Sequence, residues 1–273
     1  MCGIFGVINY SKKQRYMQDL DNIKDVIRGL LISSQVRGTD ASGVCIVDQR
    51  CKAYLIKNHC PGSQLTSNPD FVSIMKDINY HTNFKYAIGH TRAKTKGTQY
   101  LNVNNHPIVS GKVVGVHNGM ISNDEDIFRM DKELVRKGTV DSEVIFSLLD
   151  NYISKKNRTI TYAVTNTTDA LIGSFSCAFF HTNHPNYVTL FTGSFANIVI
   201  YDFKDKEIMI FASSDTILER ALEDIKMFER PSSKRDVAPN SGIRINTKNG
   251  KLHTFPIGPV RKQEVNNSVG FTI

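Results

Sequence analysis

Cysteine at position two is the residue of this sequence whose place in the chain matters most for chemistry. Removal of the initiator Met1 ahead of a small residue would leave Cys2 with a free α-amine beside its thiol. An α-amine titrates near about 8, so part of it is neutral at cellular pH and can accept a proton. The thiolate is the nucleophilic form of cysteine, and a nearby base increases its supply. The position therefore suits an N-terminal nucleophile, although Cys2 taken alone could equally be a small apolar residue before a strand.

Asn118 and Gly119 follow a short apolar segment, residues 112–117. An Asn-Gly pair commonly forms the turn of a β-hairpin. Only two residues separate it from Ser122, where a capping-box pattern predicts the start of a helix, so a second hairpin strand has no room. We therefore expect the pair at a strand-to-helix junction. A side-chain amide and a backbone N–H exposed there would suit an oxyanion hole.

Arg92 and Asp141 could bind the two charged groups of an amino acid. Arg92 ends a predicted strand, and its guanidinium could hold a carboxylate through two parallel hydrogen bonds. Asp141 begins a predicted helix, where it could cap the first turn or pair with an ammonium group. A surface charge and a helix cap are the simpler interpretations of each residue alone. Together the two residues describe a pocket for an amino acid.

Other kinds of site have little support in the sequence. The five cysteines include no CxxC pair and the histidines lack metal-ligand spacing, so we expect neither a disulfide framework nor a bound metal. No glycine-rich phosphate loop is present, and we expect no cofactor. No apolar run approaches the roughly 20 residues that cross a bilayer. Because no basic leader precedes the first apolar segment, we expect a cytoplasmic protein without a membrane partner.

The net charge of the chain is +8. A basic balance can indicate an acidic partner such as nucleic acid. Here the basic residues form short, dispersed clusters without interleaved aromatics, for example Lys12, Lys13 and Arg15. We interpret each cluster as solvated surface, and binding to nucleic acid is disfavoured.

The elements that must position these residues follow from the hydrophobic pattern of a 273-residue chain that is 40% apolar and 22% charged. We predict helices over 19–32, 69–78, 141–154, 159–168 and 215–224, and one from Ser122. We predict strands over 4–8, 43–48, 53–57, 85–92, 112–117, 174–181, 187–191, 196–202 and 207–213, and a hairpin over 242–255 with Asn249-Gly250 at its turn. Residues 93–111 are expected to form a long loop. The pattern indicates one α+β domain rather than alternating βα units.

Eight segments, in this order, resemble the motifs of class II glutamine amidotransferase domains, a branch of the N-terminal nucleophile hydrolases. They are MCGIFGV (1–7), RGTDASG (37–43), GHTR (89–92), NNHPI (104–108), HNGMISN (117–123), DSEVIF (141–146), GSFSCAFF (173–180) and FASSD (211–215). Each is weak alone. Eight in the family's order, beginning with cysteine at position two, form a specific signal over residues 2–256.

The resemblance implies a fold and a reaction. The fold is a four-layer αββα sandwich of two antiparallel sheets, which we place over residues 2–258, with a polar tail over 259–273. In the implied reaction, Cys2 attacks the carboxamide of glutamine while its α-amine shuttles the proton. The products are glutamate and ammonia, formed by way of a γ-glutamyl thioester.

The resemblance also assigns the remaining roles. Asn118 and Gly119 would hold the oxyanion, Arg92 the α-carboxylate of glutamine and Asp141 its α-ammonium. Thr95 and His106 match positions that line the pocket, and Arg37 matches a supporting position near the nucleophile.

Two departures from the family concern the loop after Arg92. Ala93 stands where the family often has tryptophan, and Lys96 where it often has histidine. This loop commonly closes over glutamine and guides ammonia, so closure or ammonia transfer could differ here. The family usually fuses this domain to a synthase, for which the chain has no room. We therefore expect either a separate synthase or acceptor-binding protein, or a free-standing glutaminase.

Two other functions stay open at this stage. An N-terminal nucleophile hydrolase could act on another γ-glutamyl amide, since the Arg92 and Asp141 pair recognises only the amino-acid head group. A non-catalytic, basic binding subunit is the second alternative, and the net charge is its only support.

Overall fold

The strands and helices were located in a computed structural model that describes residues 2–79, 81–194 and 197–258. The strands are β1 (Gly3–Asn9), β2 (Ala41–Val47), β3 (Ala53–Asn58), β4 (Tyr86–Arg92), β5 (Ile108–Ser110), β6 (Val113–Ile121), β7 (Gly173–His181), β8 (Tyr187–Thr192), β9 (Val199–Phe203), β10 (Ile208–Ala212), β11 (Ser233–Asp236), β12 (Ser241–Asn246) and β13 (Leu252–Pro256). The helices are α1 (Met17–Ser34), α2 (Gly62–Leu65), α3 (Pro69–Asp77), α4 (Asp124–Met130), α5 (Ser142–Asp150), α6 (Ile160–Ala170) and α7 (Asp215–Leu222). A π-helical turn, Asn151–Lys155, extends α5.

The strands form two antiparallel sheets. The seven-stranded sheet has the order β11-β9-β10-β1-β4-β2-β3, and the six-stranded sheet the order β13-β12-β8-β7-β6-β5. Three buried apolar clusters separate four layers: α1, α3 and α7 against the first sheet, the two sheets against each other, and α5 and α6 against the second sheet. The predicted four-layer αββα sandwich is confirmed.

The first strand shows why these sheets lie in the middle of the molecule. Successive side chains of a strand point to opposite faces. In β1, Phe5 and Val7 join the cluster under the helices, whereas Ile4 and Ile8 join the cluster between the sheets. A continuous apolar run is what a strand covered on both faces requires.

Helix α1 covers the outer face of the first sheet. Leu20, Ile23, Ile27, Leu30 and Leu31 recur at helical spacing, and all are buried against that sheet and α7. Fully burying an aliphatic side chain of this size contributes about 1.5–3 kcal/mol. The apolar side of α1 therefore closes the outer face of the first sheet to water.

The strand β6 differs from the prediction. It continues through Asn118 and Gly119 to Ile121, so the Asn-Gly pair lies inside a strand rather than at a strand-to-helix junction. Asn118 pairs with Ser176 and Gly119 with Phe175 of β7. Pairing along the whole of β7 overrides the local turn preference of Asn-Gly. Gly119 has φ +147°, and a Cβ there would lie 2.0 Å from a β7 carbonyl oxygen, so the extension depends on glycine.

The side chains at the two predicted helix starts bind elsewhere in the chain. Ser122 lies one residue before the cap position of α4, and its hydroxyl donates to Ile172 O at 3.1 Å. Asp141 occupies the cap position of α5, but its carboxylate accepts the Ile121 N–H at 2.7 Å instead of capping the helix. In both places a partner distant in the chain replaces the local one.

The hydrophobic pattern did not predict several short elements. They are α2, β5, which lies within the predicted loop 93–111, and the exposed edge strand β11. Each has four residues or fewer, too few to show a period. The predicted tail, residues 259–273, lies outside the described residues. In the part of the chain that the structure covers, no helix has the length and apolarity needed to span a membrane.

Candidate active site

Strand pairing brings Cys2 beside Arg92. Gly3, the first residue of β1, pairs with Thr91 near the end of β4. A Cβ at Gly3 would lie 2.7 Å from Thr91 Oγ1, so the close approach of these strands requires glycine next to Cys2. Arg37 Nε donates to Cys2 O at 2.9 Å, and Ser213 Oγ accepts the Ile4 N–H at 2.9 Å. These bonds fix the backbone that directly follows the thiol.

A cavity of about 510 Å³ opens at this end of the sandwich. Five of the sequence-predicted site residues line it: Cys2, Arg37, Thr95, Asn118 and Gly119. Its volume lies within the range of small-molecule sites. The predicted nucleophile and oxyanion donors therefore share one space.

Four further residues line the cavity that were not predicted as site residues: Met120, Ser174, Asn197 and Ser213. Ser174 and Ser213 lie in segments that carry the family resemblance, so their motifs could have indicated them. Nothing in the sequence singled out Asn197.

The thiol of Cys2 is partly exposed to this cavity, and Sγ donates to Ala93 O at 3.4 Å. Burial raises the pKa of Cys2, while the positive charge of Arg92 lowers it and the negative charge of Asp141 raises it. The thiol therefore needs a proton acceptor to become a nucleophile near neutral pH.

Among the described residues, Asn118 presents an unpaired carboxamide at the wall of this cavity. Only 6% of the residue is exposed, and it lines the same cavity as the thiol. No described residue forms a hydrogen bond with its carboxamide, so its N–H groups are available to a ligand. A preorganised donor of this kind stabilises negative charge at low reorganisation cost.

Arg92 and Asp141 are buried and do not line the cavity. Arg92 Nη1 donates to Asn105 Oδ1 at 2.8 Å, and Nη2 donates to Lys96 O at 2.6 Å and Gly97 O at 2.7 Å. The guanidinium thus holds the loop that follows β4. Burial lowers the pKa of Arg92, and the charges of Cys2 and Asp141 oppose that shift, so the three groups lie within electrostatic reach of one another.

Lys96 anchors the same loop to α4. Its ammonium group lies 2.8 Å from Asp124 Oδ1 and 2.9 Å from Glu125 Oε1. Asp124 is fully buried, and its second oxygen accepts from Arg136 Nη2 at 2.8 Å. The lysine at this family position therefore ties the loop to a buried carboxylate.

His106 does not line the cavity. Its ring stacks on His90 with centroids 4.1 Å apart, and neither ring nitrogen has a hydrogen-bond partner among the described residues. Burial lowers the pKa of His106 and lowers that of His90 to about 3. Both rings are therefore neutral at physiological pH. Within the described ranges, no group of three or more His, Cys, Asp or Glu side chains is arranged to hold a metal ion.

Comparisons with known sequences identify proteins related to this chain. Residues 90–220 match the family described as a glutamine amidotransferase domain. Glutamine–fructose-6-phosphate aminotransferase of Chlamydia trachomatis is 30% identical over 221 residues, which cover 79% of this chain and 32% of that protein. The enzyme of the same name from Corynebacterium glutamicum is 31% identical over 201 residues, covering 69% and 29%. The chain spans about a third of the length of these relatives.

Solved structures share the fold. Glutamine phosphoribosylpyrophosphate amidotransferase from B. subtilis superposes with a TM-score of 0.67 at 17% identity, covering 93% of this chain and 49% of that one. A glutamine aminotransferase class-II domain protein from Silicibacter pomeroyi gives 0.54 at 12% identity, covering 94% and 100%. The fold is that of the N-terminal nucleophile hydrolases. Within that class, the chain belongs to the class II glutamine amidotransferase family.

Proposed function

We propose that this chain hydrolyses the side-chain amide of glutamine through Cys2. The observation that carries the proposal is that the Cys2 thiol and the Asn118 carboxamide line one cavity of about 510 Å³. A nucleophile and an unoccupied amide donor facing the same space are the two parts that acyl transfer needs.

The chemistry begins with the α-amine of Cys2, exposed once Met1 is removed, taking the thiol proton. Sγ attacks the amide carbon of glutamine, and Asn118 with the Gly119 N–H holds the oxyanion. Collapse breaks the C–N bond, the proton passes to the leaving nitrogen, and ammonia departs from a γ-glutamyl thioester. Water then attacks the thioester, which releases glutamate and restores the thiol.

Recognition of the amino-acid head group falls to Arg92 and Asp141. For Arg92 to bind the α-carboxylate, its bonds to Lys96 O and Gly97 O must give way to the ligand. Substrate binding and movement of the loop are therefore one event in this proposal, and Thr95 moves with that loop. His106, stacked on His90, supports the segment from which Asn105 meets Arg92.

The fate of ammonia is the second part of the proposal. We propose that residues 2–258 form the glutaminase unit and that ammonia passes to an acceptor on a separate synthase. The similarity to aminotransferases with longer chains supports an acceptor. With the purified chain alone, glutamate and ammonia should appear in equal amounts. With the synthase and its acceptor present, free ammonia should fall below glutamate, and an unchanged ratio would count against transfer.

The cytoplasm is the compartment we propose. All five cysteines are free, including the three that are exposed or partly exposed, Cys2, Cys51 and Cys60. Thiols persist where glutathione and thioredoxin keep them reduced. Separation of cell fractions, followed by detection of the chain, tests this assignment.

Intact mass spectrometry with a diazoketone analogue of glutamine tests the nucleophile. We expect wild-type protein to lack Met1 and to gain one adduct, whereas Cys2→Ala gains none. Cys51→Ala is the matched control, because Cys51 is free and exposed, and it should label like wild type. An adduct on Cys2→Ala, or a retained Met1 in an active enzyme, would overturn the proposal. Equal turnover of glutamine and other γ-glutamyl amides would broaden the substrate class.

A further inference from the structure

A second cleft, of about 690 Å³, lies at the opposite end of the sandwich from Cys2. It is formed by the connections β1–α1, β2–β3, α3–β4, β7–β8 and β12–β13. Strand β1 runs from Cys2 to this cleft over seven residues, which separates the two sites by roughly 20 Å. The cleft is therefore distinct from the proposed glutamine site.

The charge of this cleft is of one sign. Its described lining residues include no aspartate or glutamate but five permanent cations: Lys12, Lys13, Arg50, Lys85 and Lys248. Two carboxylates lie close by and offset the five cations only in part: Asp48 Oδ1 accepts the Lys52 N–H at 2.9 Å, and Glu207 Oε2 accepts from Ser11 Oγ at 2.5 Å. A concave surface lined by like charges concentrates anions.

Lys85 is the cation at the bottom of the cleft. Only 5% of the residue is exposed, and its ammonium group donates to Asn186 Oδ1 at 2.9 Å and Cys51 Sγ at 3.4 Å. Both partners are neutral, and no described carboxylate lies within ion-pair distance of it. A buried ammonium group without a counter-charge is costly unless an anion supplies one.

Thr247 is an independent sign of a missing ligand. It lines the same cleft and is 3% exposed, yet its hydroxyl has no hydrogen-bond partner among the described residues. Its N–H donates to Asn186 O at 2.9 Å, which places it beside the partner of Lys85. Buried hydroxyl groups are normally satisfied, so this one can donate to an acceptor that reaches the inner end of the cleft.

We propose that this cleft binds a small anion carrying two or more phosphate groups, with Lys85 and Thr247 at its inner end and Arg50 and Lys248 at the rim. The volume of the cleft matches that of small-molecule sites. Charge-assisted hydrogen bonds from lysine and arginine are the usual means of holding phosphate oxygens. Binding there is separate from the chemistry at Cys2.

Isothermal titration of the full chain with inorganic tripolyphosphate, near physiological ionic strength, tests the proposal. Wild type should bind one equivalent with saturation. Arg50→Gln combined with Lys248→Gln should weaken binding about tenfold or more, since both residues are exposed and their loss should spare the fold. Lys132→Gln combined with Lys226→Gln removes the same charge from exposed sites outside the cleft and should change binding less than about twofold.

Thr247→Val probes the inner end with a nearly isosteric side chain. It should weaken tripolyphosphate binding several-fold while the thermal midpoint of the free protein stays within a few degrees. Cys2→Ala should bind like wild type, which separates this proposal from the glutaminase proposal. No saturable binding by wild type, or equal losses in the two charge-matched double variants, would overturn the site. So would tighter binding of single-stranded oligonucleotides that grows with their length, because a nucleic-acid surface would then replace a small-ligand site.

Discussion

At one end of the two sheets, Arg92 donates to three acceptors, and Lys96 binds the buried carboxylate of Asp124. At the other end, Lys85 is buried between two neutral groups, and the cations around it have no described carboxylate in the cleft. The first arrangement pairs each charge and holds the loop in the ligand-free position, from which it must move for Arg92 to bind a carboxylate. The second leaves charge uncompensated, as a site for an anion requires. The same strands therefore carry one end at which the charged side chains are paired and one end at which they are not.

The sharpest separation of the two ends is expected from Cys2→Ala. Because the thiol is the nucleophile of the proposed reaction, glutamate release should fall by about a thousandfold or more. Tripolyphosphate binding should be unchanged. Steady-state assay and titration of one preparation measure both, and a parallel loss of the two activities would mean that the ends are not independent.

Asn118→Leu should give the next largest effect. It removes the carboxamide donor at nearly constant volume, so kcat should fall about 10²–10³-fold, which corresponds to about 2.7–4 kcal/mol of oxyanion stabilisation. Met120→Leu is the control, since Met120 lines the same cavity without a donor. If the two variants lose activity equally, Asn118 shapes the cavity and does not hold the oxyanion.

Asp124→Asn tests whether the reactive end depends on its buried ion pairs. Asp124 is fully buried, but its partners Lys96 and Arg136 are 35% and 24% exposed, so solvent reduces the effect. We expect a loss of about 1–3 kcal/mol in the free energy of unfolding, measured with urea, and a raised KM for glutamine. Glu125→Gln removes the exposed partner of the same lysine and should cost less than about 0.5 kcal/mol. Equal losses in the two variants would mean that the buried ion pairs of Asp124 stabilise the fold no more than the exposed pair of Glu125.

The buried histidines predict a smaller, pH-dependent difference. Burial lowers the folded pKa of His90 to about 3, below its unfolded value near 6.5. The unfolded chain therefore binds the proton first, and stability should fall as pH drops from about 6.5 towards 3, by at most about 1.4 kcal/mol per pH unit for this residue.

His90→Asn should reduce that slope, whereas His59→Asn, at an exposed position, should leave it unchanged. Urea unfolding at a series of pH values gives the slopes. An unaltered slope in His90→Asn would show that other groups carry the acid sensitivity.

The elements that were predicted well are those whose hydrophobic pattern continues over many residues. The run IFGVI and the apolar positions of α1 predicted a strand and a helix, and the structure contains both. The prediction for Asn118-Gly119 was wrong because a dipeptide reports only its local turn preference. Its conformation is decided by β7, more than 50 residues further along the chain.

The position of Cys2, the order of the motifs and the existence of the long elements were determined by the sequence itself, because each depends on neighbouring residues. Only the tertiary structure decided the partners of the polar groups. It gave the guanidinium of Arg92 to the carbonyl groups of its own loop and gathered Lys12, Lys85 and Lys248 from distant connections into one cleft. The sequence had shown Lys12 only as part of a solvated cluster. Hydrophobic periodicity depends on residues that are close in the sequence. A tertiary hydrogen bond or an electrostatic field, by contrast, depends on segments that meet only after the sheets have formed.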